Sequence, residues 1–251
     1  MSTKAVHLEA VSDLPSEAFL ASFRRRGRCT DMYSDRGTNF IGAYNLLLSY
    51  CKQSSETLSI KWHFNPPSAP HFGGLWESAV KSVKTHLYRV IGCQILTFEE
   101  LTTLLAQIEA LLNSMPLCSC PDPNDLGSLT PGHFLTLEPH TAPPDENLLD
   151  VTQNRLSRWQ LVQQLQQHFW KRWHVEYTLQ QRAKWNSVQN SPRIGTLVVV
   201  KDENLPPLRW LLGRIIKLYP GTDQVVRVAQ IQTTKVFFDR PLVKQCPLPD
   251  Q

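Results

Sequence analysis

Several features are missing or scarce. No uncharged apolar run reaches the roughly 20 residues that a membrane-spanning helix needs, and the opening MSTKAVHLEA lacks the apolar core of a secretory signal. The expectation is an intracellular, soluble chain with no membrane partner. Cysteines number 6 and lie scattered at Cys29, Cys51, Cys93, Cys118, Cys120 and Cys246, with no Cys-x-x-Cys pair. Cys118 and Cys120 form a lone Cys-x-Cys without a nearby histidine pair, so the ligand spacing of a zinc site is absent. Free thiols in a reducing compartment are the expectation. His7, His63, His71 and His86 show no metal spacing and read as packing or surface residues. No internal repeat occurs.

What is present is ordinary in bulk and uneven in detail. The 251 residues are 41% hydrophobic and 19% charged, enough for one or two domains with their own cores. The net charge is +4. Residues 1–150 carry 11 Lys/Arg against 16 Asp/Glu, whereas residues 151–251 carry 15 against 6. Acids therefore gather where a metal could sit and bases where phosphate could bind, although solvated surface charge explains the same split.

Periodicity sketches the elements. KAVHLEAV alternates and predicts a strand; SEAFLASFRRR predicts a helix ended by Gly27. CTDMYS predicts a strand running into the turn Asp35-Arg36-Gly37, and NFIGAYNLLLSYCKQ a helix. LSIKWHFNPP predicts a second alternating strand. A helix follows over 78–91, with Val80, Val83, Leu87 and Val90 as its core stripe. Thr97 and Glu100 have capping-box spacing ahead of a helix ending near Asn113. The order implies an α/β domain with a mixed sheet. Residues 116–144 are proline-rich and read as linker rather than core. A helix over about 153–185 carries Trp159, Val162, Phe169, Trp173 and Tyr177 on one side, read as packing residues. The remainder is short β-rich runs with turns, which suggests a small barrel.

Two acids draw attention. Asp35 lies where a strand ends and a turn begins. Glu77 opens a helix, where capping also favours an acid. Glu77, Lys81, Lys84 and Tyr88 follow at steps of four, three and four and share one helical face. An acid above two lysines suits a metal-binding carboxylate beside a phosphate track; an ordinary surface Glu–Lys pair has the same spacing.

YSDRGTNFIGA, WHFNPPSAPHFGGLWESAVKSVKTHL, LTFEELTTLLAQIEALLNSMPL and LTPGHFL resemble the integrase catalytic core of BEL/Pao-type retrotransposons. FWKRWHVEY, LQQRAKW and WLLGRIIKLYPGTDQVVRV resemble the domain that follows that core. The resemblance spans nearly the whole chain. It implies an RNase H-like mixed sheet over 1–115, a linker over 116–150, a helical connector over 151–192 and an SH3-like β-barrel over 193–251. It implies DNA as partner, a nuclear location, and Mg²⁺ or Mn²⁺ held by an Asp, Asp, Glu triad that promotes in-line attack on phosphorus. Asp35 matches the second acid and Glu77 the third. Lys81 and Lys84 match positions facing the DNA end, Gly73 and Gly74 the flexible active-site loop, and Asn39 a residue that orders the turn. Arg209, Arg214, Lys217, Arg227 and Lys244 are the candidate phosphate contacts of the barrel.

The departures from that pattern set further expectations. The first Asp of the family lies upstream of KAVHLE, so it is expected to be missing, with weak metal binding and no strand transfer by this chain alone. Glu9 and Asp13 are not placed to replace it. The preceding zinc-binding His/Cys domain is expected to be missing too. The first helix looks shortened, Met115 stands where Arg is common, EYTLQQR looks short, and Gln224 replaces a turn glycine. A sheet edge left uncovered would be closed by another segment or by a second copy, making a homo-oligomer. Three readings follow: an integrase-derived DNA-binding protein without catalysis, a portion of an active integrase, and a non-enzymatic adaptor docking through the aromatics of 153–185.

Overall fold

The computed structural model describes residues 3–13, 15–27, 29–54, 60–66, 74–120, 125–141, 143, 145–180, 193–202, 204–223 and 225–249. Two compact units emerge, Glu9–Arg89 and a second made of Met1–Leu8 with Val90–Gln251. The fold is mixed α/β: helices, a two-stranded parallel sheet, a short hairpin and a five-stranded antiparallel sheet. No described helix is long and apolar enough to cross a membrane.

In the Glu9–Arg89 unit, helix α1 (Ser16–Arg26) precedes strand β1 (Asp31–Ser34), helix α2 (Thr38–Gln53), strand β2 (Lys61–Phe64) and helix α3, which begins at Gly74 and continues to Ile91. Strands β1 and β2 pair in parallel with Asp31 opposite Lys61, and α2 forms the crossover that parallel pairing demands. Alternation in both strands sends Ser34, Trp62 and Phe64 inward. Trp62 lies against Phe19 of α1 and Tyr44 of α2, with ring centroids 5.9 and 5.6 Å apart, and donates Nε1–H to Ser34 Oγ at 2.9 Å. Gly42 permits the close approach of α1 and α2, since a Cβ there would lie 2.0 Å from Ser16 Oγ. The start of α3 precedes the predicted Ser78 by four residues, and Glu77 falls in its first turn, where the helix dipole favours an acid.

The second unit is built on α4 (Phe98–Asn113) and α6 (Arg158–Gln180), which pack together. The predicted capping box is present: Thr97 Oγ1 accepts from Glu100 N–H at 3.2 Å, and Glu100 Oε2 accepts from Thr97 N–H at 2.8 Å. Glu100 also accepts from Arg158 Nε at 2.7 Å, and that guanidinium holds its carboxyl below the usual range. The expected helix over 153–185 starts later: a 3-10 turn covers Gln153–Arg155, α6 begins at Arg158 and is described to Gln180, and 181–185 lie outside the described residues. Phe169 and Trp173 are buried as expected, whereas Trp159 is 58% exposed. An adaptor surface along this stripe therefore loses Phe169 and Trp173. The 116–144 segment, read as linker, contains the hairpin β3–β4 (Cys118–Ser119 with Ser128–Leu129) and helix α5 (Pro131–Thr136), whose Pro131 and Gly132 are buried. A proline-rich composition hid these elements because Pro131 sits at the first position of a helix, where it fits.

The C-terminal runs form one sheet in the order β8-β7-β6-β5-β9, with β5 Leu197–Val200, β6 Leu212–Pro220, β7 Val226–Gln232, β8 Phe237–Pro241 and β9 Gln245–Pro247. No β8–β9 pairing closes it into a barrel among the described residues. Strand β5 is buried on both faces, which is why it reads as an unbroken apolar run. Val198 and Val200 join Ile215, Ala229 and Ile231 on one face; Leu197 and Val199 join Cys246, Leu248 and Trp210 on the other.

One predicted strand did not form. Residues 4–11 have no strand partner among the described residues. The side chain of buried Asn113 instead serves as a neighbour: Val6 N–H donates to its Oδ1 at 2.8 Å, and its Nδ2–H donates to Val6 C=O at 2.8 Å. Glu109 Oε2 accepts from Leu8 N–H at 2.8 Å. Replacing Asn113 with Leu leaves two backbone groups without these partners, so we expect a loss of about 1–3 kcal/mol; amide exchange at Val6 should quicken, and unchanged exchange there would contradict the clamp. Leu137, at the C-terminal cap of α5, has φ 66° and is 87% exposed, so its side chain loses nothing by removal. Leu137→Gly should relieve about 1 kcal/mol of left-handed strain and raise the melting midpoint by about 2–4 °C.

Candidate nucleic-acid interface

Asp35 follows the last residue of β1. Its Oδ1 accepts from Gly37 N–H at 2.8 Å, a turn that aims the chain into α2. A Cβ on Gly37 would lie 2.6 Å from Asn39 Oδ1 and 3.0 Å from Asp35 Oδ1, so a side chain there would displace both, and the turn brings Asn39 beside it. Asp35 is exposed.

Glu77, Lys81, Lys84 and Tyr88 are all exposed along α3, Tyr88 at 80%. The opposite side buries Val83, His86 and Val90. Val80 was expected in that buried stripe but is 46% exposed, and Leu87, also expected there, is half-buried while its neighbour His86 is buried. Asp35 and Glu77 belong to the same unit, as do Lys81 and Lys84. Gly74 is the first residue of α3, with open space where a Cβ would go; Gly73 lies outside the described residues.

Among the described residues no group of three or more His, Cys, Asp or Glu side chains is arranged to hold a metal. Asp35 and Glu77 are two exposed carboxylates, one of which already spends an oxygen on Gly37 N–H. Two carboxylates alone would leave the repulsion between two divalent metal ions largely uncompensated.

The sequence reading missed a feature beside Asp35. The outward face of β1 and β2 carries Asp31, Tyr33, Lys61 and His63, all exposed. Tyr33 and His63 stack with centroids 4.5 Å apart and planes 12° from parallel. His63 Nε2 bonds Asp31 Oδ1 at 2.9 Å, and that bond is the main reason the Asp31 carboxyl titrates below its usual range. The signal was the in-register alternation of 31/33 with 61/63, legible only once the strands are known to pair.

The five basic residues of the C-terminal part differ in availability. Arg214 donates to Gly195 O at 2.7 Å and Asp125 O at 2.9 Å, fastening two loops to the sheet. Arg227 makes a two-pronged pair with Asp223 at 3.0 and 2.6 Å. Lys217 Nζ sits 5.1 Å above the Tyr219 ring. Lys244, in the 3-10 turn Leu242–Lys244, and Arg209 are exposed.

Comparison with known proteins adds two likenesses. A model described as a family of unknown function (DUF5641) matches residues 157–248. A solved chain, from "CryoEM structure of simian T-cell lymphotropic virus intasome in complex with PP2A regulatory subunit B56 gamma", is 13% identical with a TM-score of 0.34. That likeness covers 93% of this chain and 63% of that one, so this chain spans less than two thirds of its length. No curated protein matches.

The Asp223–Arg227 pair makes an acid-side prediction. Hydrogen bonding from Arg227 lowers the Asp223 carboxyl from 3.8 to about 2. Its stabilising contribution is therefore complete above pH 3.8 and is lost as pH falls toward 2. Asp223→Asn should lower the urea midpoint at pH 7 and lower it much less as pH falls through 2. Equal differences at both pH values would contradict the pairing.

Proposed function

We propose that this chain is an integrase-derived nucleic-acid-binding protein that grips DNA through phosphate contacts and does not itself catalyse strand transfer. The finer reading is a BEL/Pao-type core of RNase H-like kind followed by an SH3-like domain, acting in the nucleus. The observation that carries it is the exposed α3 face, where Glu77, Lys81, Lys84 and Tyr88 line up in the unit that holds Asp35. Side chains so placed present one acid and two cations to a ligand rather than to a core. The C-terminal sheet supports the SH3-like reading, because a 3-10 turn at Leu242–Lys244 returns β9 to pair with β5. Lys217, Lys244 and Arg209 remain its best phosphate contacts, while Arg214 and Arg227 are engaged within the protein. Asp35 and Glu77 would hold one Mg²⁺ or Mn²⁺ weakly.

Phosphate binding releases counterions, so affinity should fall steeply with salt, at a slope of about −0.9 per contact. Fluorescence anisotropy with a labelled duplex across a range of salt concentrations measures that slope. The double variant Lys81→Ala/Lys84→Ala should shallow it by about 2. An affinity indifferent to salt overturns the proposal.

A second reading, a portion of an active integrase, is favoured by residues 4–11. They alternate like a strand, yet Val6 is paired by a side chain rather than by a strand. A strand supplied from elsewhere would suit them. Mn²⁺-dependent strand transfer gained when the chain is joined to an upstream strand carrying an Asp, and abolished by Asp35→Asn, would establish that reading over the first; a homo-oligomer completing the sheet would show as a doubled mass in solution.

A further inference from the structure

A cavity of about 370 Å³ opens between α6, residues 143–149 and the loop 204–209. Its volume is that of a small-ligand site, at the lower end of the usual range of about 300–1,000 Å³. Its scaffold is fixed by hydrogen bonds. Gln167 accepts from Leu148 N–H at 2.9 Å and donates to Glu146 C=O at 2.7 Å, and Gln164 donates to Leu148 C=O at 2.7 Å. Trp170, 2% exposed, donates Nε1–H to Leu205 C=O at 2.9 Å. These bonds tie both loops to the helix, so the cavity is preformed.

Other groups on the wall are not consumed in this way. Gln166 is only 6% exposed, and its carboxamide has no hydrogen-bond partner among the described residues. Asn204 adds a further carboxamide, Asn147 adds another whose Oδ1 already accepts from Leu149 N–H at 3.1 Å, and Lys171 and Arg209 add two exposed cations. Arg209 follows Leu208, whose φ of 64° is uncommon for a leucine. Arg209 N–H closes the turn on Pro206 C=O at 3.2 Å. The loop thus adopts a costly conformation immediately before one of the cavity's two cations.

We infer that this cavity is a binding site for a single unpaired nucleotide, its phosphate held by Lys171 and Arg209 and its base edge read by Gln166, Asn147 and Asn204. The inference rests on the nucleic-acid reading above and names a site within it. Carboxamides both donate and accept, which matches the mixed edge of a base. Pro206, Pro207 and Leu149 offer apolar surface for its faces. Asp145, also on the wall, accepts from Gln163 Nε2 at 3.3 Å through Oδ1 and offers its other oxygen to an exocyclic amine at the end of the cavity away from the phosphate.

The test compares a blunt DNA duplex with the same duplex carrying a three-nucleotide single-stranded tail, by anisotropy, using the full chain. The tail should raise affinity at least fivefold. Lys171→Ala removes an exposed side chain and should bring the tailed duplex close to the blunt value; Arg209→Ala, which also removes a duplex phosphate contact, should weaken both and still bring the tailed-to-blunt ratio close to one. Gln166→Leu should alter the preference among tails of A, C, G and T without weakening blunt binding. Thermal melting of each variant at the parent midpoint establishes that the fold is intact. If the tail adds nothing while the blunt duplex still binds with a steep salt slope, the nucleotide site is overturned and the phosphate-binding reading stands. If neither duplex binds, both are overturned. An unchanged tail preference in Arg209→Ala and Lys171→Ala also overturns the site.

Discussion

The aromatic seam along α6 is what the larger unit depends on. Trp170, Trp173 and Tyr177 succeed one another on the helix, and Trp210 lies edge-on to all three at centroid distances of 5.0, 6.0 and 5.6 Å. Each such pair adds about 0.5–1.5 kcal/mol beyond burial. The polar tips are tied as well: Trp210 Nε1–H donates to Ser114 Oγ at 3.1 Å, and Tyr177 O–H donates to Pro116 C=O at 2.9 Å. Burial pushes the Tyr177 phenol well above its ordinary range, so it stays a neutral donor. One residue of the loop before β6 thereby joins α6, the end of α4 and the second face of the β-sheet.

That seam also explains why α6 is a poor amphipathic helix by pattern. Its buried side includes Gln164, Gln166 and Gln167 as well as Leu165 and Phe169. Gln164 and Gln167 are buried because the loop 146–151 needs backbone partners: Gln164 donates to the Leu148 and Val151 carbonyls, and the Gln167 carboxamide supplies a donor and an acceptor together. A polar helix face thus does structural work on one loop and leaves Gln166 facing a cavity. Polar burial of this kind is stable only when its bonds are made, which gives the loop one arrangement rather than many.

The same logic recurs at Asn113, whose side chain pairs both backbone groups of Val6. It recurs at Asp35, which caps the turn into α2 while standing at the rim of β1. In each case a residue that could be read as functional carries a local backbone duty. At Asp35 that duty engages one oxygen and limits what a metal could claim.

Local chemistry was legible in the residues. The capping box at Thr97 and Glu100, the strands at Asp31–Ser34 and Lys61–Phe64, the helix after Asp35 and the buried run Leu197–Val200 all follow from spacing, because each depends on neighbours within a few positions. The exposed face Glu77, Lys81, Lys84 and Tyr88 was legible for the same reason. The tertiary structure decided what depends on distant partners. It left 4–11 without a strand, exposed Val80, folded Pro131 into a helix, kept the C-terminal sheet unclosed among the described residues, and engaged Arg214 and Arg227 inside the protein. A charge or an alternation is a property of a segment, whereas pairing is a property of whatever the fold brings beside it.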